Sequence, residues 1–270
     1  MDKQLQEYLD FAKNVAHEAG KIQLKYFRAE DINTVWKEDD TPLTIADTTI
    51  NSMVIERVKE AYPDHGVRGE EESFGQDRML LWVCDPVDGT MPYSIGAPLS
   101  TFSLALVKDG TPIVGVVYDA FQDRLWESAT NMPTLMNGKE VRVNDKGIKN
   151  SYIGDDVWAS GNTKELLFNL PGVRDDLLDR GAHPITYSAA IMTCGLIAIG
   201  QFSGEIFAVK KPEDIAAIKL IVENAGGKVT DLDGSDQRYD DWINGAIVSN
   251  GVIHDELIDV VAQARLRVKS

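Results

Sequence analysis

The sequence predicts a layered α/β protein in which helical and sheet layers alternate as an αβαβα sandwich. Its N-terminal half reads as antiparallel sheet and its C-terminal half as α/β. Three observations carry this. Two segments near the N-terminus place apolar residues at helical spacing. A run of short β-rich segments with tight-turn signals follows. Beyond residue 150, short strands alternate with helical stretches.

Leu5, Tyr8, Leu9, Ala12, Val15, Ala16, Ala19 and Ile22 share one helical face, which predicts a helix over 3–27. The polar, proline-containing segment 37–44 reads as a loop or loose hairpin. It leads into a second helix over 47–61, with Ile50, Met53, Val54, Val58 and Ala61 on one side. Strands are expected at 80–84, 101–107, 113–118, 124–128 and 141–143. Asp109-Gly110 and Asn137-Gly138 supply the hairpin turns. In the second half, strands near 152, 205, 229 and 247 alternate with helices at 163–170, 188–199, 214–225 and 254–268. The turn-rich stretch 144–150 marks the join, so the expected units are 1–146 and 147–270.

At 270 residues the chain can bury a sizeable core. With 43% apolar and 26% charged residues it is globular rather than disordered. The net charge of −16 excludes a broad nucleic-acid-binding face. It leaves a small phosphorylated substrate open, because bound metal inverts the local sign. Cys84 and Cys194 lie in apolar contexts outside any CxxC pattern and read as buried free thiols. The N-terminus has no signal-peptide layout, and no apolar run approaches the ~20 residues needed to span a bilayer. A cytoplasmic protein without membrane contact is expected.

The most informative stretch is 82–93, where an apolar run ends in Asp85-Pro86-Val87-Asp88-Gly89-Thr90. At ~4 Å and an effective dielectric of ~20, a like-charged pair costs about 4 kcal/mol. A chain that fixes two carboxylates on one turn does so around a cation. With little His or Cys nearby, the donors suit Mg²⁺ or Ca²⁺ rather than zinc. Gly69-Glu70-Glu71-Glu72 adds carboxylates upstream, and Pro212-Glu213-Asp214 opens a helical pattern downstream. Three acidic segments converging on two or three ions is the arrangement that two-metal phosphoryl chemistry requires.

With these segments in hand, the chain resembles the inositol monophosphatase family of Mg²⁺-dependent, Li⁺-sensitive phosphatases. Lys37, Asp39, Thr41-Pro42-Leu43-Thr44 and Asp47 look like its lysine segment, and Gly69-Glu70-Glu71 looks like its G-E-E. Asp85-Pro86-Val87-Asp88-Gly89-Thr90, with Tyr93 after it, looks like its D-P-x-D-G-T signature. Asn137-Gly138-Lys139, Ser188-Ala189-Ala190, Asp214-Ile215-Ala216-Ala217 and Ala225-Gly226-Gly227 follow in family order.

The resemblance implies roles. Glu70, Asp85 and the Val87 carbonyl would bind a first Mg²⁺. Asp85, Asp88 and Asp214 would bind a second, and a third, weaker ion would sit near Glu70. Asp47 and Thr90 would orient the attacking water. The N–H groups of Gly89 and Thr90 would hold phosphate oxygens, and Lys37 lies in the loop that closes over the metals. Ser188 and Ala189 would line the substrate side. The expected partner is a small phosphorylated metabolite, met by a homodimer.

Three departures bear on substrate. Glu213 replaces the tryptophan before the last metal aspartate. Tyr187 replaces the glycine before Ser188. Phe207 falls where animal relatives have an inositol-contacting acid, with Glu205 close by. Glu213 is expected either to complement a helix dipole or to touch substrate, where it would favour a cationic alcohol. Tyr187 and Phe207 would offer flat apolar surface. These changes leave the metal chemistry and weaken the case for inositol. Histidinol phosphate, a sugar bisphosphate such as fructose-1,6-bisphosphate, and a 3′-phosphonucleotide are the alternatives. A catalytically inactive metal- or phosphosugar-binding protein is the rival class.

Other patterns read as structure. The spacing of three between Asp85 and Asp88 differs from the D-x-D of haloacid-dehalogenase phosphatases. The segment 231–236 has Trp242 where a Ca²⁺ loop needs Glu, and reads as a β-turn. His17, His65, His183 and His254 stand outside any metal or triad pattern, which disfavours a phosphohistidine route.

Overall fold

The structure is a computed structural model that describes residues 2–27, 34–37, 42–156, 170–208 and 210–268. Asp39 and Thr41 of the lysine segment, and residues 163–169 of one expected helix, lie outside them.

Helix α1 (Lys3–Tyr26) is capped by Asp2, whose side chain accepts the Gln4 N–H. Strands β1 (Val35–Trp36) and β2 (Pro42–Leu43) pair as a short antiparallel ribbon, the loose hairpin expected. Helix α2 (Ile45–Ala61) starts two residues earlier than its apolar pattern suggested. Thr44 caps it, and Asp47 at the third position closes a capping box.

Seven strands follow in one sheet, ordered β3-β4-β5-β6-β7-β8-β9. They are β3 (Gly66–Gly69), β4 (Leu80–Asp88), β5 (Thr101–Lys108), β6 (Thr111–Asp119), β7 (Arg124–Ala129), β8 (Leu135–Met136) and β9 (Lys139–Glu140), with the short helix α3 (Thr90–Ser94) after β4. Only the β3–β4 pairing is parallel. The last hairpin turns at Asn137 and Gly138, both at positive φ, and pairs only Met136 with Lys139 and Leu135 with Glu140. The strand expected at 141–143 is therefore not formed. The chain leaves the sheet there, and the Val143 N–H donates to the Ala225 carbonyl.

The second sheet is mixed, ordered β11-β10-β12-β14-β13. It comprises β10 (Tyr152–Gly154), β11 (His183–Ile185), β12 (Gly204–Phe207), β13 (Lys228–Thr230) and β14 (Ala246–Ser249). Helices α4 (Leu170–Asp179), α5 (Ala190–Ala198), α6 (Ala216–Asn224) and α7 (His254–Val268) flank it, and a single 3₁₀ turn, Pro212–Asp214, precedes α6. Strands β3 and β11 and helix α4 were not expected: each is short or lacks a clean period. Helix α5 starts at Ala190 rather than 188, because Ser188 has φ +57, which no α-helix admits.

Side-chain alternation along β4 stacks the layers. Trp82 and Cys84 point into the core made with α1 and α2. Leu81 and Val83 point the other way, into the core made with α5 and α6. Val229, Val248 and Phe207 of the second sheet close that core from below. The opposite face of the second sheet buries Ile153, Ile206 and Ile247 against α4 and α7. The order is α1/α2, sheet, α5/α6, sheet, α4/α7, the αβαβα sandwich that the sequence predicts.

Candidate metal centre

The centre begins with an irregularity in β4. Asp85 pairs with Ser103 and Asp88 with Thr101, so Pro86 and Val87 oppose Phe102 alone. Residues three apart in a regular strand point to opposite faces. The extra residue of a bulge reverses that parity, so Asp85 and Asp88 share a face. The sequence suggested a turn held by Pro86. The structure has a bulged strand instead, with the Val87 N–H donating to Asp85 Oδ1 at 3.0 Å and Gln23 Nε2 donating to the Pro86 carbonyl at 2.9 Å.

Gly89 follows at φ +78. A Cβ there would lie 2.4 Å from the Leu99 carbonyl and 2.8 Å from Ala189 Cβ. It lets the chain turn into α3, which Thr90 opens. Gly69 is required by close approach alone, since its Cβ would meet Asn51 Oδ1 at 2.1 Å. That approach delivers Glu70 at the end of β3.

Asp85 is 3% exposed. Burial pushes its carboxyl well above the usual range, and the charges of Glu70, Asp214, Asp88 and Asp47 add to this. Asp214, in the 3₁₀ turn, is pushed well up by burial and by Glu70, partly opposed by Lys211. Burial raises Asp88 to about 6. It goes no further because Asp88 Oδ2 accepts the Thr101 hydroxyl at 2.9 Å and the Met192 N–H at 3.1 Å, and Oδ1 accepts the Ile191 N–H at 3.2 Å. Asp88 thus faces the N-terminus of α5, where the helix dipole favours an anion.

Glu70 is the exception. Burial pushes it up, but the Lys211 and Lys37 ammonium groups outweigh that and hold it below its ordinary value. Lys37 Nζ donates to Glu70 Oε1 at 3.1 Å and to Glu71 Oε1 at 2.5 Å. Glu71 is raised by burial and by Glu70, against Lys37. Oxygens of Asp47, Glu70 and Glu71 lie within 4.8 Å of one another, the only such acidic triad among the described residues. Asp85, Asp88 and Asp214 complete the acidic lining but do not converge as tightly.

Asp47 is held by its own helix start. Thr44 donates to Oδ2 from its N–H at 2.8 Å and from its hydroxyl at 2.6 Å. Oδ1 is left facing Thr90 Oγ1 at 3.3 Å, and that hydroxyl also lies 2.8 Å from the Val87 carbonyl. Burial raises Asp47 to about 7, despite Thr44.

Six carboxyl groups here face two ammonium groups, and four of the six are pushed up by one another's charge. The donors are oxygen only. The Cys84 thiol lies on the opposite face of β4, pushed well up by burial. Such a set fits hard divalent cations, whose charge relieves the repulsion.

On the substrate side the outcome is mixed. Ser188 and Ala189 sit beside the site, with the Ser188 N–H donating to Asp156 Oδ1 at 2.8 Å. Tyr187 is half-buried against Phe202, the rings 5.8 Å apart. Glu213 lies in the first turn of the 3₁₀ helix, as one of its two readings had it, and at 4% exposure its Oε1 accepts Arg68 Nε at 3.1 Å. One expectation is corrected. Phe207 lies at 1% exposure in the core between the sheets, because β12 turns it inward. Glu205 is fully buried beneath the site, accepting the Asp156 N–H at 3.0 Å.

Thr101, Asp156 and Lys211 were not singled out from sequence, and Thr44 and Glu71 were named only within their segments, without a role. The spacing of Thr44 and Asp47 is a capping-box signal that was available. Lys211 carries no local signal, since only docking of the 3₁₀ turn brings it to Glu70. The bland readings held elsewhere. Asp231 Oδ1 accepts the N–H groups of Asp233 and Ser235 in a turn. His254 sits between Ser249 and Thr230. Both cysteines are free and buried.

The fold and the acidic site define a phosphatase, a hydrolase of phosphoric monoesters. Residues 4–266 match the model of the inositol monophosphatase family, and the chain belongs to that family. It is 31% identical over 261 residues to a fructose-1,6-bisphosphatase/inositol-1-monophosphatase of Aquifex aeolicus, covering 95% of this chain and 96% of that one. It is 29% identical over 255 residues to a histidinol-phosphatase of Chlorobaculum parvum, covering 94% and 96%. Among solved structures, an inositol monophosphatase from Anabaena superposes with a TM-score of 0.83 at 27% identity, covering 97% of this chain and 98% of that one.

Proposed function

We propose that the chain hydrolyses a small phosphate monoester by direct in-line attack of water at a Mg²⁺ centre, without a covalent enzyme intermediate. Glu70, Asp85 and the Val87 carbonyl would hold one ion, and Asp85, Asp88 and Asp214 a second, with a weaker third beside Glu70. Bound magnesium supplies Lewis acidity, which lowers the pKa of a coordinated water and neutralises charge on the phosphoryl oxygens.

The carrying observation is the bulge that turns Asp85 and Asp88 onto one face beside Thr90 and Asp47. A hydroxyl has one proton, and Thr90 can give it to Asp47 Oδ1 while its own lone pair accepts from water. Asp47 is oriented for this by the two Thr44 contacts on its other oxygen. Ionised Asp47 then holds the proton drawn from the attacking water. The N–H groups of Gly89 and Thr90 would hold phosphate oxygens, and Ser188, Ala189 and Tyr187 would border the alcohol. The inactive-binder alternative is disfavoured, since the carboxylates and the Thr90–Asp47 pair are all present.

The alcohol is the open part. The family's members carry several substrate names, and Tyr187 leaves less room for ring hydroxyls than glycine would. A polar group left buried and unpaired costs on the order of 1–3 kcal/mol. The test measures phosphate release from inositol-1-phosphate, histidinol phosphate, fructose-1,6-bisphosphate and a 3′-phosphonucleotide. Activity should require Mg²⁺ and fall with Li⁺. Full activity in chelator overturns the metal mechanism. A preference for inositol-1-phosphate of a hundredfold or more, about 2.7 kcal/mol, overturns the view that the substrate side is ill-suited to inositol.

A further inference from the structure

One charged group at the centre has no part in that mechanism. Lys211 Nζ donates to Glu70 Oε1 at 3.2 Å, the same oxygen that Lys37 holds at 3.1 Å. The two lysines come from distant parts of the chain, Lys37 after the β1 strand and Lys211 at the entry to the 3₁₀ turn. The Lys211 backbone is fixed relative to Glu70. Pro212 sets the first residue of the turn, and Glu213 is clamped to Arg68, which lies on β3 two residues before Glu70. What remains free is the lysine arm, whose side chain is 34% exposed and has solvent to swing into.

We propose that Lys211 is an internal cation that competes with magnesium for Glu70 and so sets how much magnesium the centre needs. The inference rests on the metal reading above. A divalent ion that takes Glu70 Oε1 must displace an ammonium group from it or settle beside that group's charge. Either route lowers affinity, and by linkage the arriving ion weakens the lysine contact to the same extent. Lys37 shares the oxygen but also holds Glu71, so it keeps a carboxylate partner when Glu70 turns to an ion. Lys211 has no second carboxylate contact of that kind within hydrogen-bond reach among the described residues.

The experiment titrates Mn²⁺ into chelator-stripped protein at fixed ionic strength, without substrate, by calorimetry or paramagnetic resonance. Wild type, Lys211→Met, and Lys139→Met are compared. Lys139 is exposed on β9, and its substitution changes the net charge equally. Lys211→Met should tighten Mn²⁺ binding about tenfold, while Lys139→Met should stay within about twofold of wild type. In a Glu70→Gln background the effect of Lys211→Met should shrink to the part that Lys211 exerts through Asp214. Circular dichroism checks that each variant is folded. Unchanged or weaker binding by folded Lys211→Met overturns the inference and leaves the metal reading standing. Absence of Mn²⁺ binding by wild type overturns both.

Discussion

Asp88→Asn separates the chemical duty of a proposed metal carboxylate from its structural cost. In chelator, two effects oppose each other. Both Asp88 oxygens accept hydrogen bonds from fixed donors: Thr101 and the Ile191 and Met192 N–H groups. Asn must turn its amide NH₂ toward one side. The least costly choice faces Ile191 and leaves that buried N–H without an acceptor, for about 1–3 kcal/mol. Against this stands the cost of the charge. The Asp88 carboxyl is raised from 3.8 to about 6. The folded state therefore holds the proton more tightly than the unfolded state, and stability falls as pH rises through that window. Above it the penalty is complete, at about 3 kcal/mol. Asn has no such penalty. The net expectation at pH 8 in chelator is a variant between unchanged and about 2 kcal/mol more stable, a rise of at most several degrees in melting temperature. Below pH 4 the advantage disappears, because wild-type Asp88 is then protonated in both states. Turnover with Mg²⁺ should nonetheless fall by orders of magnitude. Calorimetry at both pH values and a phosphate-release assay read the two effects. Loss of several kcal/mol at pH 8, or near-wild-type turnover, refutes the reasoning.

Asp214→Asn should likewise keep the fold and reduce kcat by orders of magnitude; retained turnover with unchanged Mg²⁺ dependence removes Asp214 from the second ion's ligands. Thr90→Val and Asp47→Asn should each lower kcat by roughly 10²- to 10⁴-fold, with the double variant little worse than either single one. Asp47, raised by burial to about 7, is needed ionised, so kcat/KM should fall toward acid, with a midpoint at or below pH 7 because bound cations draw it down; an alkaline-only profile counts against it. Burial holds His254 down to about 4, so the folded state excludes a proton that the unfolded state takes below 6.5. Melting temperature should therefore drop as pH falls from 6.5 toward 4, and His254→Gln should flatten that part of the profile.

Much of this was legible in the sequence, for physical reasons that can be named. Helix α1 and strand β4 are long, and their apolar periods show which face is buried. Asp85, Asp88 and Thr90 fall in one short segment whose chemistry is local. Strand β11 and the β8–β9 hairpin are too short to carry a period, and Ser188 at positive φ is held by Asp156, a contact that no local pattern announces. The ion pair of Glu213 with Arg68 was not foreseen, because Arg68 lies far away in the chain. The bulge at Pro86 and Val87 was read as a turn, since a strand that gains one residue and a turn that ends a strand look alike in one dimension. Lys211 was passed over for the same reason as Arg68: its neighbour is chosen by docking.

The wide spacing of the acidic residues has a consequence for biosynthesis. A ribosome delivers Glu70, Asp85 and Asp88 well before Asp214, and the Arg68–Glu213 clamp that seats the last segment cannot form until then. An unfinished chain thus carries crowded carboxylates with no closed pocket to share an ion. Cellular magnesium acts by mass action on whichever form binds it, and only the finished molecule presents the full set. If the proposed centre binds magnesium, chains truncated before the 3₁₀ turn lack Asp214 and should gain less stability from the ion. The cation would then serve as a late checkpoint that discriminates finished molecules from incomplete ones.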